Sequence, residues 1–352
     1  MMKKEADLKF YKRYTPNGLV DDRPITSSTR LILREAKNLG MEIKHLIGTN
    51  VFKLKYRGEE KDFHFQNPSC NSATGMYIAN SKRATRNLLQ NNKICIPTGY
   101  ALKMSDSSNQ KKEVYDSLKK PLVVKPDRGS QGKAITVGVR NFSEYLKALR
   151  KAANYSKDRE AWIVVEEQLI GYREYRVLTT RDKVIGVIKR IPANVIGDGV
   201  SNIRKLIKIK NSDPRRGEAK DHPPLFKIEM DDEMKEFLKK KDLNWKSIPL
   251  KGQRILLRGV SNISMGGDSI DYTDKVHASV RELSLKAMNS IPGLELGGVD
   301  FMSKDITTKQ KPGTYAIIEV NNSPGIDIHD YPFIGIKRNA GLEFLRVMFG
   351  EL

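Results

Sequence analysis

The chain has 352 residues, 63 Lys and Arg against 42 Asp and Glu, a formal net charge of +21 and 39% hydrophobic residues. That length leaves room for two or three globular units with real cores, and no apolar stretch approaches the length of a membrane span. The segment 1–10 is charged and lacks the apolar centre of a signal peptide, and Cys70 and Cys95 are too few for a disulfide framework or a four-thiolate metal site, so a cytoplasmic setting is expected. The charge favours anionic ligands. Its basic residues are scattered along the chain, whereas a nucleic-acid reader would more often gather them into a stripe.

In chain order, residues 27–80 read as a small α/β unit: Leu31, Ile32, Ala36 and Leu39 recur at helical spacing, Gly40 stops the helix, and 43–46 and 51–65 read as strands. A short helix over 81–90 follows, with Lys82 and Arg83 in a first turn where the helix dipole disfavours them. That conflict fits an anion nearby or plain solvated lysine. A strand over 122–125, a glycine hairpin and a helix from Asn141, with Asn141 and Glu144 as a variant capping box, form the next unit. Strands are expected at 162–169, 175–178 and 184–188, helices near 203–209, 234–240 and 275–288, strands at 294–302 and 315–321, and a last helix near 342–349. Interleaved helices and strands make the class α/β or α+β.

The hairpin "KPDRGSQGKAITV" (125–137) is not a Walker A loop. Only Ser130 and Gln131 separate Gly129 from Gly132, Ala134 follows Lys133 where a hydroxyl is needed, and the alternation after Lys133 reads as a strand. Its N–H groups, with Lys125 and Lys133, could cradle a phosphate; an ordinary exposed hairpin is the plain alternative.

Two late stretches, "GGVDFM" (297–302) and "AIIEVNNSPG" (316–325), each set one carboxylate in an apolar strand. If these strands pair, Asp300 lies opposite Glu319, and Asn321, two residues on, shares the face of Glu319. Asp300, Glu319 and Asn321 then form an all-oxygen set of the kind Mg2+ prefers. The competing reading is a carboxylate neutralised by Arg258 or Arg190. "KRIPANVIGDG" (189–199) and "LLRGVSNISMGGDSIDYTD" (256–274) each couple an arginine to a polar loop with glycine. With the hairpin and the acidic pair they describe a nucleoside-triphosphate site.

With these motifs in this order, the chain resembles the ATP-grasp carboxylate–amine ligases, from about residue 28 to residue 339. The resemblance is to the ATP-grasp domain of bifunctional glutathione synthetases and of cyanophycin synthetase. It also rests on "VVEEQLIGYREYRVL", "RIPANVIGDGVSNI" and "IEVNNSPGIDIHDYPFIGIKRN". It implies an ATP-grasp fold with a small N-terminal pre-ATP-grasp unit over 1–80 and an ATP-grasp domain over 81–352, the latter split into a nucleotide lid lobe near 100–175 and a catalytic lobe over 176–352. By position it implies that Lys82 and Lys125 contact the phosphates of ATP and that the backbone of Ser130, Gln131, Gly132 and Lys133 closes over them. Glu166, Glu167 and Leu169 border the adenine, and Glu174 holds the ribose. Asp300, Glu319 and Asn321 bind Mg2+, with Mn2+ as the alternative ion. Arg258 stabilises the transferring phosphoryl group, while Arg190, Asn262, Ser264 and Gly266 line the acceptor side.

The implied chemistry is ADP-forming: ATP converts a carboxylate into an acyl phosphate, and an amine displaces phosphate through an anionic tetrahedral state. No Ser/His/Asp or Cys/His set competes with this. The few histidines read as surface or structural residues, with His329 the one placed near substrate. The expected partners are a small carboxylate and an amine, the acid free or peptide-borne, with no membrane, no nucleic acid and, from the superfamily, a homodimer. Two alternatives stand beside this reading: a ligase that modifies peptides or proteins, and a nucleic-acid-binding protein on an inactive ATP-grasp fold. The glutamate–cysteine ligase domain that precedes this unit in the bifunctional enzymes, and the Mur-ligase-like domain that follows it in cyanophycin synthetase, do not fit in 352 residues. "EVNNSPG" is similar to the cyanophycin type and "SNISMGGDSIDYTD" to the glutathione type, so the substrate stays open. The loop 211–224, with Arg215 and Arg216, matches no part of the family pattern.

Overall fold

The computed structural model describes residues 25–46, 49–129, 132–156, 160–218, 223 and 225–352. Helix α1 (Ser27–Asn38) starts at Thr26, whose side chain accepts the Thr29 N–H at 3.1 Å. It packs on a four-stranded antiparallel sheet, β1 (Glu42–Leu46), β2 (Val51–Tyr56), β3 (Glu59–His64) and β4 (Asn67–Pro68). The unit read from 27–80 is thus present, but its core is shared. Leu31, Ile32, Phe52, Leu54 and Phe63 bury against Phe344, Leu345 and Met348 of the last helix, α10 (Ala340–Phe349), and against Leu178 and Ile185.

Two short helices, α2 (Ala73–Ala79) and α3 (Lys82–Asn91), lead into a second four-stranded sheet. Its order is β5 (Gly99–Lys103), β8 (Trp162–Glu167), β6 (Leu122–Pro126) and β7 (Thr136–Val139), all antiparallel. Helix α4 (Ser108–Ser117) lies between β5 and β6 in the chain. Helix α5 (Phe142–Ser156) buries Tyr145, Leu149 and Ala152 against this sheet's Leu122, Val124 and Val165. Its cap is the expected one shifted by a residue: Asn141 Oδ1 accepts the Glu144 N–H at 2.9 Å, while Glu144 reaches the Arg140 N–H at 2.8 Å.

The central sheet is five-stranded and antiparallel, in the order β15 (Asp268–Asp271), β10 (Val184–Ile191), β9 (Arg173–Thr180), β16 (Leu296–Ser303) and β17 (Tyr315–Asn321). Alternation divides its residues. Tyr175, Val177, Val299, Phe301 and Val320 bury with Val280, Ala287 and Met288 of helix α8 (Ala278–Asn289). The intervening Glu174, Arg176, Asp300 and Glu319 face the other way. Between β10 and β15 the chain builds a small unit with its own core from β11 (Asn194–Ile196), α6 (Ile203–Asn211), the parallel pair β12 (Arg216–Gly217) and β13 (Leu225–Phe226), α7 (Asp232–Lys239) and β14 (Arg254–Leu256). Helix α9 (Asp327–Asp330) follows β17. Among the described residues no helix is long and apolar enough to cross a membrane.

Candidate active site between the two sheets

The site begins with the conflict at the start of α3. Lys82 and Arg83 do meet an anion, and it belongs to the chain. The Asp127 carboxylate, at the end of β6, accepts the Arg83 N–H at 2.7 Å and the Ser81 hydroxyl at 2.9 Å, and the Lys82 N–H binds the Asp127 carbonyl at 3.1 Å. The Arg83 guanidinium lies 4.6 Å from the centre of the Trp162 ring. Asp127 therefore fixes the helix to the second four-stranded sheet and aims Lys82, whose Nζ donates to the Gly129 carbonyl at 3.0 Å and lies 3.9 Å from Glu319 Oε2. Burial lowers the Lys82 pKa, opposed by Glu319 and assisted by Lys125. Asp127→Ala is expected to lower stability by about 1–2 kcal/mol in urea unfolding; a wild-type value would show that α3 is held by other contacts.

Lys125 and Glu166 meet across β6 and β8, with Nζ 2.6 Å from Oε2 and both side chains almost fully buried. The second carboxylate oxygen of Glu166 takes Arg86 of α3, so one acid joins the helix to the sheet. Of the residues assigned to the adenine side, Glu166 is committed to this network. Glu167 caps the Lys119 N–H at 3.0 Å, and Leu169 lies half-buried just after β8. In the hairpin, Lys133 is exposed and Gly132 has φ +73°, which favours glycine. A Cβ on Gly132 would touch Val260 at 3.5 Å, so the hairpin tip reaches the loop that carries Asn262. Ser130 and Gln131 lie outside the described residues.

Asp300 and Glu319 are partners in the β16–β17 register, and Asn321 pairs with Gly298, which sets all three on one face. Arginine and acid coexist there. Arg176 Nε lies 2.5 Å from Asp300 Oδ1 and Arg190 Nη2 2.9 Å from Oδ2, while Arg190 also pairs with Glu174. Gly298 makes this possible, because a Cβ there would sit 2.9 Å from Arg176 Cδ and 2.7 Å from Pro324 Cβ. Burial would raise the Asp300 pKa, but Arg176 and Arg190 outweigh it and hold the carboxyl far below the usual range. Glu319, 25% exposed, moves the other way: burial and the Asp300 charge raise it, against Lys82 and Lys125.

Among the described residues no three His, Cys, Asp or Glu side chains converge on a metal position. A cation here would rely on the two carboxylates, the Asn321 amide oxygen and oxygens of its ligand. The Asn321 Nδ2 is turned to the Gly298 carbonyl at 3.2 Å. That leaves an all-oxygen donor set, which fits Mg2+ or Mn2+.

The remaining assigned residues lie on β10 and on the loop before β15. Arg258 does not neutralise Asp300, as one sequence reading allowed. Its guanidinium binds Asp231 Oδ2 at 2.5 Å, Glu233 Oε2 at 3.1 Å and the Glu229 carbonyl at 3.3 Å, all in or just before α7. Asn262 Oδ1 accepts from Ser264 N–H at 3.1 Å and Oγ at 2.7 Å, and Gly266 closes the turn with φ +87°. Sequence reasoning missed Arg176, Arg86 and Asp127. Arg176 was findable, since it lies two residues after Glu174 on one strand and so shares its face.

His329, in α9, is fully buried, and among the described residues neither ring nitrogen finds a hydrogen-bond partner. Burial and the charges of Arg176, Arg190 and Arg338, offset by Asp271, push its pKa from 6.5 down to about 3. The unfolded chain takes up this proton near pH 6.5 and the folded chain only near pH 3, so acidification between those values favours unfolding, by on the order of 1 kcal/mol per pH unit. The neighbouring buried acids Asp327 and Asp330 have raised pKa values and act in the opposite sense, their contribution being lost as pH rises. Urea unfolding of wild type and His329→Gln from pH 7 to pH 4 separates them: wild type is expected to lose more stability on acidification than the variant, and parallel curves would exclude His329 as the source.

Two antiparallel sheets meet across buried lysines and acids, with a glycine hairpin on the smaller one, and the chain has the ATP-grasp fold of the relatives it matches. No family model matches the chain. A glutathione biosynthesis bifunctional protein of Clostridium perfringens is 34% identical over 363 aligned positions, covering 99% of this chain and 45% of that protein. A cyanophycin synthetase of Trichormus variabilis is 31% identical over 328 positions, covering 93% and 35%. The crystal structure of a bifunctional glutathione synthetase from Pasteurella multocida superposes with a TM-score of 0.69 at 31% identity, covering 92% of this chain and 44% of that one. The chain spans less than half the length of these relatives.

Proposed function

We propose that the protein is an ADP-forming carboxylate–amine ligase that joins an amino acid or short peptide to an amine. The observation that carries this is the pairing of Asp300 with Glu319 on the central sheet, opposite Lys82 and Lys125 from the facing elements. In this reading ATP lies between the sheets. Lys82 and Lys125 face its phosphates, and the hairpin around Gly132 covers them and excludes water from the reactive acyl phosphate. Asp300, Glu319 and Asn321 would hold Mg2+, which supplies charge neutralisation at the phosphoryl oxygens.

The substrate carboxylate attacks the γ-phosphorus and ADP departs. The amine then attacks the acyl carbon, loses a proton and expels inorganic phosphate, so one ATP gives one amide, ADP and phosphate. Arg190 lies against Asp300 and Glu174 in the site and faces the negative charge of both steps. Arg258 would reach the transferring phosphoryl group by exchanging Asp231 and Glu233 for it. The large positive charge suits an acidic substrate.

The test is ADP release with Mg2+ and ATP across amino acids, dipeptides including γ-glutamylcysteine, and acidic peptides, with mass spectrometry of the products. A new amide mass that disappears in Glu319→Ala supports the ligase and names both substrates. ATP binding without stimulated ADP release by any small acid or amine would overturn small-molecule ligation and favour a peptide or protein acceptor.

A further inference from the structure

A cavity lies on the far side of the central sheet, next to the residues that anchor Arg216 of the loop left without a counterpart. In the β10–β15 register Arg190 pairs with Ser269, so Asp268 and Ile270 project from the sheet face opposite Arg190 and Asp300. Beyond that face lies a cavity of about 290 Å³, bounded by β11, α6, β14, β15 and residues 333–334. Its walls are mainly apolar, from Leu206, Ile209, Phe333 and Ile334, and Ile209 and Ile334 are more than half exposed although they carry no polar function.

One end of this cavity is cationic. Lys210 Nζ lies 2.6 Å from Asp268 Oδ2 and 2.9 Å from the Asn194 carbonyl, and Arg254 Nη1 lies 3.0 Å from Asn194 Oδ1. Behind them Arg216, with no exposed side-chain surface, takes Asp268 Oδ1 at 2.5 Å. Two cations, Lys210 and Arg216, thus share one buried carboxylate, while Arg254 binds the neighbouring Asn194 amide. Phe333 is held among cations as well, with Lys210 and Arg216 each 5.3 Å and Arg215 5.4 Å from its ring centre. Of these cations only Lys210, at the end of α6, lines the cavity, together with Arg254 of β14; Arg215 and Arg216 stand behind it and hold Phe333 and Asp268 in place.

We propose that the cavity binds a small monocarboxylate with an apolar or aromatic body. The carboxylate is taken by the exposed fork of Arg254 with the remaining N–H of Lys210, and the body sits between Ile209, Phe333 and Ile334. The planar guanidinium matches a carboxylate, and the volume suits a ligand about the size of one amino acid. Asp268 inside the same cavity repels a second negative charge, which disfavours phosphate and dicarboxylates.

The test is titration calorimetry of the full chain, without nucleotide or metal, against N-acetyl-leucine, N-acetyl-phenylalanine, their C-terminal amides and inorganic phosphate. The acids are expected to bind, and the amides and phosphate to bind at least tenfold more weakly. Arg254→Ala, at an exposed position and with the melting temperature checked, should weaken the acids at least tenfold, and Ile209→Asp should abolish binding. No heat with either acid, equal binding of acid and amide, equal binding of phosphate, or wild-type affinity in Arg254→Ala would each overturn the proposal.

Discussion

Glu319→Gln is expected to reduce ADP formation by on the order of 10³-fold or more while leaving the melting temperature within a few degrees of wild type. Glu319 faces Asp300 across β16 and β17 and receives the Lys82 ammonium at 3.9 Å, a distance at which little hydrogen-bond energy is at stake. A neutral amide of the same shape removes the charge that a divalent cation needs and relieves the repulsion from Asp300 that raises the Glu319 pKa. Activity and stability should therefore separate at this position. They should not separate at Asp300, whose two oxygens hold Arg176 and Arg190; Asp300→Asn strands a buried guanidinium and costs both. Steady-state ADP release beside thermal unfolding reads the difference. Near-wild-type turnover in Glu319→Gln would remove the acidic pair from the mechanism.

Phe344→Ala carries the largest expected stability effect, about 3–5 kcal/mol. Phe344 has no exposed surface and meets the Phe63 ring edge-on with centroids 5.6 Å apart, inside a core that also contains Leu31 and Leu178. The loss should appear as a single urea transition moved to lower denaturant, because the N-terminal sheet, α10 and the central sheet share these side chains. A change under 1 kcal/mol, or a separate early transition for the N-terminal sheet, would show that the sheet has an independent core.

That shared core marks where sequence reasoning ends. Helical spacing showed that Leu31, Ile32 and Ala36 face inward, but periodicity within a segment does not say which distant element covers the face, and α10 lies some three hundred residues away. Period-two alternation succeeded for Asp300 and Glu319 because both the pairing and the facing follow from strand geometry. The same rule applied to "YREYR" places Arg176 beside Glu174, and its omission followed from reading the motif for one residue only. Asp127 was harder to read. The unfavourable charges at the start of α3 fitted either a nearby anion or plain solvated lysine, and nothing local pointed to a carboxylate some forty-five residues downstream. Arg258 shows a further limit, since its partners Asp231 and Glu233 come from a segment whose place in the fold is set by tertiary packing.

Gly298 has a consequence for how this protein tolerates change. It has no side chain to offer the chemistry, yet the space above its Cα is occupied by Pro324 and by the Arg176 side chain that reaches Asp300. The addition of one methyl group there would displace the guanidinium and leave the acid with half its neutralising charge. The mutational footprint of the site is therefore wider than its list of functional groups, and includes a position whose contribution is an atom it lacks.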